Sequence, residues 1–121
     1  MDNLKLGTDG ERAALKFLKR KGFRVLERNF RAKGGEIDLI CLNGECIVFV
    51  EVKSRSSFNF GHPVEAITEF KKEKLLKTAY LYLTQKNLIG KPFRFDLVSI
   101  VWGKEGKIRE ISHLKNFLEG N

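Results

Sequence analysis

The chain is short of the residues that most often organise small proteins. It has two cysteines, Cys41 and Cys46, and two histidines in 121 residues. Two cysteines are too few for a disulfide framework or a cysteine-rich zinc site, so they read as small core residues in a reducing compartment. His62 has no second histidine at a metal-ligand spacing, and a lone loop histidine is seldom a ligand or base. No apolar run approaches the roughly 18 residues of a membrane span, and no basic stretch leads into an apolar one at the amino terminus, MDNLKLGTDGER. The expectation is a soluble, cytoplasmic protein without a membrane partner. Repeats, linkers and low-complexity tracts are missing too, and residues 1–121 read as a single domain, the length being too small for two ordinary ones.

What the chain does have is positive charge. Lys and Arg number 23 against 15 Asp and Glu, a net charge of +8, while 42% of residues are hydrophobic. That composition supports a folded core under a charged surface and argues against wholesale disorder. A basic surface gathers polyanions, nucleic acid before anionic membrane. It also keeps a protein soluble, so charge by itself assigns no function.

Thr8-Asp9-Gly10-Glu11 has the spacing of a capping box, and Ala13, Ala14, Phe17 and Leu18 continue it as an apolar stripe. A first helix is expected over about 9–21. Segment 23–31 (FRVLERNFR) alternates as a strand, and its arginines and Glu27 suit a sheet edge. EIDLICL and ECIVFVEVK flank Asn43-Gly44, which suits a type I′ hairpin turn. Strands are expected at 36–42 and 45–53. The second is apolar on both faces from Ile47 to Val50, hence central. A loop with Pro63 as boundary follows, then a helix over 68–87 with Thr68 as N-cap and Ile67, Phe70, Leu75, Leu76, Ala79, Tyr80 and Leu83 as its apolar side. Strands at 93–102 and 107–112 close an α-β-β-β-α-β-β order.

With Asn43 and Gly44 as the turn, Leu42 opposes Glu45 and Asp38 opposes Phe49. The period of two then puts Asp38, Glu51 and Lys53 on one face, the two carboxylates as diagonal neighbours with backbones roughly 7–8 Å apart. Two carboxylates supplemented by waters and phosphate suit a hard divalent ion. Such an ion polarises a phosphoryl oxygen and activates water, and Lys53 would orient that water or balance developing charge. A surface salt bridge is the plainer reading of the same residues. Their position beside the apolar run favours the site, because charge near a core is costly unless paired or metal-bound. An odd-length turn would move Asp38 to the opposite face. In the assumed register Cys41 and Cys46 also face each other.

Glu11, GEID at 35–38 and EVK at 51–53 resemble the PD-(D/E)xK nuclease superfamily. RNFRAKGGEIDLI, VFVEVKSR, the FG of the following loop and RFD at 94–96 are most similar to its bacterial YraN-type family, predicted endonucleases related to archaeal Holliday-junction resolvases. The resemblance covers nearly the whole chain. It implies a restriction-endonuclease-like three-layer α/β core, a mixed sheet flanked by helices in the order α-β-β-β-α-β, here with an extra C-terminal strand. It makes Asp38 and Glu51 metal ligands, the Val52 carbonyl a third, Lys53 the catalytic lysine, and Glu11 a carboxylate close to the Mg²⁺ or Mn²⁺ ion. Glu11 equally completes the capping box with Thr8. Ile37 stands where the superfamily has proline, a departure that leaves the ligands untouched. The Gln or Tyr found in the second helix of other branches has no clear counterpart, Lys71 being the nearest. Resolvases of this superfamily act as dimers, which allows a homodimer here.

Arg28, Arg31, Lys33 and Arg55 flank the proposed site and suit phosphate contacts, or equally a solvated edge. Phe58 and Phe60 suit base stacking, or more commonly anchoring of their own loop. Asp96 alternates with Arg94 and reads first as a structural pair. Two functions follow: a Mg²⁺- or Mn²⁺-dependent endonuclease on DNA, branched or junction DNA included, or a non-catalytic nucleic-acid-binding module on the same fold. Retention of the full Asp, Glu and Lys set favours the enzyme, since binding needs only positive charge.

Overall fold

The computed structural model describes residues 3–56 and 68–119. Helix α1 (Asn3–Arg20) leads into strands β1 (Arg24–Ala32), β2 (Gly35–Asn43) and β3 (Cys46–Ser56); helix α2 (Glu69–Gln85) then precedes β4 (Phe93–Trp102) and β5 (Ile108–Leu114). The five strands form one mixed sheet in sequence order. β3 and β4 are parallel because α2 intervenes as a crossover; the other neighbours are antiparallel. This is an α/β fold with the expected element order, β1 at one edge and β3 in the middle. No helix among the described residues is long and apolar enough to cross a membrane.

The apolar run of β3 explains the layering. Val48 and Val50 face a cluster with Ala14 and Leu18 of α1, while Ile47 and Phe49 face a second cluster with Leu75, Ala79, Tyr82 and Leu83 of α2. A strand flanked by strands and covered on both faces must be apolar on both. Phe49 anchors the α2 side, stacked on Phe95 at 5.2 Å and edge-on to Tyr82 at 6.0 Å. Both cysteines are free and share the α1-side cluster, Cys41 within it and Cys46 against it.

Four expectations are corrected. Helix α1 begins at Asn3, so Thr8 lies inside the helix and is not its N-cap. The β2–β3 turn comprises Gly44 and Glu45, with Asn43 opposite Cys46 and Leu42 opposite Ile47. Gly44 has φ +63°, and glycine at the first central position is the mark of a type II′ turn rather than I′. Cys41 consequently faces Val48, not Cys46, and Ile40 rather than Asp38 faces Phe49.

The fourth concerns α2. Thr68 caps it as expected, its hydroxyl accepting the Lys71 N–H at 3.1 Å. The buried side is Leu75, Thr78, Ala79, Tyr82 and Leu83, whereas Phe70, Leu76 and Tyr80 are exposed, Phe70 by 66%. Apolar residues surround so much of this helix that hydropathy does not select a face. Packing does: Thr78 turns inward because its hydroxyl is satisfied by the Lys74 carbonyl at 2.8 Å. Gly35 lets β2 approach there, since a Cβ at that position would collide with the Thr78 side chain. Ile67 and Pro63 lie outside the described residues, as do Phe58, Phe60, Gly61 and His62.

Candidate functional site

The corrected turn moves the partner of each paired β2 residue by two, an even number, which preserves the faces from Leu39 to Asn43; between Ile37 and Leu39 the alternation breaks, Ile37 packing with Ile40 on the α2 side and Leu39 on the α1 side. The ladder between β2 and β3 ends at the pair Leu39 and Val50, and Asp38, the next residue of β2, is hydrogen-bonded to Glu51. The two residues expected as neighbours on adjacent strands are thus in contact through their side chains. On the other side, β1 carries Asn29 toward Asp38, between the paired steps Arg28–Leu39 and Phe30–Ile37. Asn29 has φ +51°, a left-handed conformation that asparagine tolerates better than most residues.

Two groups hold Asp38 in place. Its Oδ2 accepts the Val52 N–H at 2.8 Å, and its carboxyl is hydrogen-bonded to Glu51. Burial first, then the hydrogen bond and charge of Glu51, push Asp38 up to about 8, against the lowering effect of the Val52 N–H. Without a cation Asp38 keeps its proton near neutral pH. Because Val52 directs its N–H toward β2, its carbonyl, on the same side of an extended strand, points that way as well.

Lys53 and Glu51 are mostly buried, with Lys53 Nζ 4.0 Å from Glu51 Oε2. Glu11 approaches from α1. Its carboxylate accepts a hydrogen bond from the Asn29 side chain; burial and then the charge of Asp38 raise its pKa. Arg28 lies close enough to act in the other direction. Among the described residues no three or more His, Cys, Asp and Glu side chains cluster tightly enough to hold an ion by themselves. A metal ion placed here would draw its side-chain ligands from the Asp38–Glu51 pair, with Glu11 in the surrounding field.

The remaining candidates are distributed unevenly. Lys71 shares a pocket with Glu51, and Arg55 continues β3 beyond Lys53. Arg31 is paired with Glu36 at 3.2 Å on the exposed edge, and Lys33 borders a different hollow beside Tyr80 on α2. Asp96 is structural: fully buried, it accepts Arg94 Nε at 3.0 Å and the Asn116 N–H at 2.9 Å, and lies 2.8 Å from His113 Nε2. Asn29 and Phe70 were not legible as site residues. The one is revealed by its backbone conformation and the other by its exposure.

The family model described as "Uncharacterised protein family UPF0102" matches residues 10–100. A UPF0102 protein of Geobacter metallireducens is 40% identical over 119 residues, covering 98% of this chain and 96% of the relative. One from Alkaliphilus metalliredigens is 44% identical over 108 residues, covering 89% and 95%. One from Dictyoglomus thermophilum is 40% identical over 116 residues, covering 96% and 98%.

Proposed function

The chain belongs to the UPF0102 family, and from the carboxylate pair at the end of its central hairpin we propose that it is a metal-dependent endonuclease hydrolysing DNA phosphodiester bonds. The observation that carries this reading is Asp38 held against Glu51 in a largely buried place, with the Val52 N–H on Asp38 and Lys53 alongside. Two carboxylates so placed repel each other unless a proton or a cation lies between them. Their donor set fits a hard cation: two carboxylates and the Val52 carbonyl would hold Mg²⁺ or Mn²⁺, leaving positions for water and a phosphate oxygen. Such an ion, when bound, lowers the pKa of water and stabilises charge on the phosphoryl oxygens. Lys53 places an ammonium at the rim, where it orients the attacking water or meets charge growing on the phosphate. Glu11, fixed by Asn29, adds negative field beside Asp38 and favours the cation further.

The spacing Asp38-x12-Glu51-x-Lys53 supports placement in the PD-(D/E)xK superfamily, on a restriction-endonuclease-like form of the mixed sheet and its two helices. The net charge of +8 suits a polyanionic substrate.

The test is incubation with linear, nicked, flapped and four-way DNA, with and without Mg²⁺ or Mn²⁺, beside Asp38→Ala and Glu51→Ala, together with calorimetric titration of Mn²⁺. Cleavage requiring the divalent ion, weakened roughly a hundredfold or more in each variant, with loss of Mn²⁺ binding, is expected. Wild-type protein that binds DNA but cleaves none of the panel, with Mn²⁺ affinity equal in all three proteins, would leave a non-catalytic binding module.

A further inference from the structure

The first turns of α2 build a wall beside the carboxylate pair. Glu51, Gly35, Phe70, Lys71 and Lys74 line one pocket of about 290 Å³. Gly35 lets β2 close against Thr78 and the Lys74 carbonyl of α2, which brings this part of the helix up to the strand that carries Asp38. Phe70 leaves the core although it lies on an apolar-rich helix, and stays 66% exposed. Lys74 Nζ sits 4.9 Å from its ring centroid, a cation–π contact that positions the ring and keeps an ammonium next to it. Glu36, the other carboxylate in this pocket, is exposed and paired with Arg31.

An exposed phenyl ring with one lysine against it and another lining the same pocket meets both parts of a nucleotide: the ring takes a base face and the ammonium groups take phosphate. Inside a duplex, neighbouring base pairs cover both faces of a base, and reaching it requires unstacking. We propose that Phe70, with Lys71 and Lys74, seats an unpaired base next to the phosphate presented to Asp38 and Glu51, so that the preferred substrate carries single-stranded nucleotides at the scissile position. This rests on the nuclease reading for the role of the carboxylates. It adds the structural class of the substrate and the residue that selects it.

Binding is measured in EDTA by fluorescence anisotropy, with a labelled single strand and the blunt duplex of the same sequence, for wild type, Phe70→Ala and Phe70→Trp. The ring is exposed, so its removal leaves the core intact. Phe70→Ala is expected to lose roughly tenfold or more in affinity for the single strand, with duplex affinity unchanged, and Phe70→Trp to retain the preference. A 2-aminopurine base in the strand reports stacking as quenching that Phe70→Ala abolishes. Equal losses on both DNAs, or no loss on the single strand, overturn the proposal. These readouts need no turnover. A Phe70-dependent preference without cleavage by wild type rejects the nuclease reading alone, and metal-dependent cleavage indifferent to Phe70 rejects the base seat alone.

Discussion

Asp38 starts from an ordinary value of 3.8 and is pushed up to about 8 in the fold, by burial first and by Glu51 next. Between those values the folded chain binds a proton that the unfolded chain has released. Its contribution to stability is therefore complete below about 3.8 and is lost as pH rises through about 8. In EDTA, the melting temperature of wild type should fall between pH 5 and 8.5 relative to that of Asp38→Asn, which lacks this proton exchange. Glu11 is raised too, so some slope survives in the variant. Added Mg²⁺ should restore stability increasingly toward high pH, because the ion requires the ionised pair. Parallel pH dependences of the melting temperature in the two proteins would refute the proton on Asp38. At this scale the nearness of Asp38 to Glu51 was legible from the hairpin pattern of the two strands. Asn29 was not, since it acts through a left-handed backbone and a bond to another element.

Among the elements, β4 and β5 are joined through Asp96. Its carboxylate takes Arg94 from its own strand, His113 from β5 and the Asn116 N–H from the segment after it. Lys21, following α1, lies 2.7 Å from His113 Nδ1; an ammonium has no acceptor, so Nδ1 accepts and the Nε2–H donates to Asp96. Burial by itself would raise the Asp96 pKa, but the bonds from His113, Arg94 and Asn116 outweigh it and lower it. Removing the carboxylate leaves buried donors without their acceptor. Asp96→Ala should cost about 3–5 kcal/mol, read by urea denaturation; a loss below about 1 kcal/mol would show that water replaces the acceptor easily. The alternation of Arg94 and Asp96 pointed to a pair. His113 and Asn116 lie 17 and 20 residues beyond Asp96, out of reach of any local pattern.

Over the whole molecule, positive charge gathers on both helices. On α1, Arg12, Lys16 and Arg20 recur at helical spacing along a groove containing Trp102, and on α2 Lys71 and Lys74 border the carboxylate pocket. If these residues neutralise two or more phosphates, raising salt from 50 to 200 mM should weaken DNA binding by roughly tenfold or more through counterion release. A filter-binding series at several salt concentrations measures it. Affinity that does not change with salt would exclude a DNA partner held by this surface.

By itself the sequence determined the order of elements, the central place of β3 and the identity of the carboxylate pair, because strand periodicity and a two-faced apolar run are local properties of the chain. The even shift in the hairpin left the faces of the paired residues from Leu39 to Asn43 intact, since side chains there alternate with period two. Only the tertiary structure decided that the Asp38 and Glu51 carboxyls meet, that Thr8 lies within a helix, and that Phe70 faces out while Thr78 faces in. Turn choice, helix rotation and the approach of Gly35 to Thr78 depend on how the layers pack, where contacts between distant residues outweigh local preference.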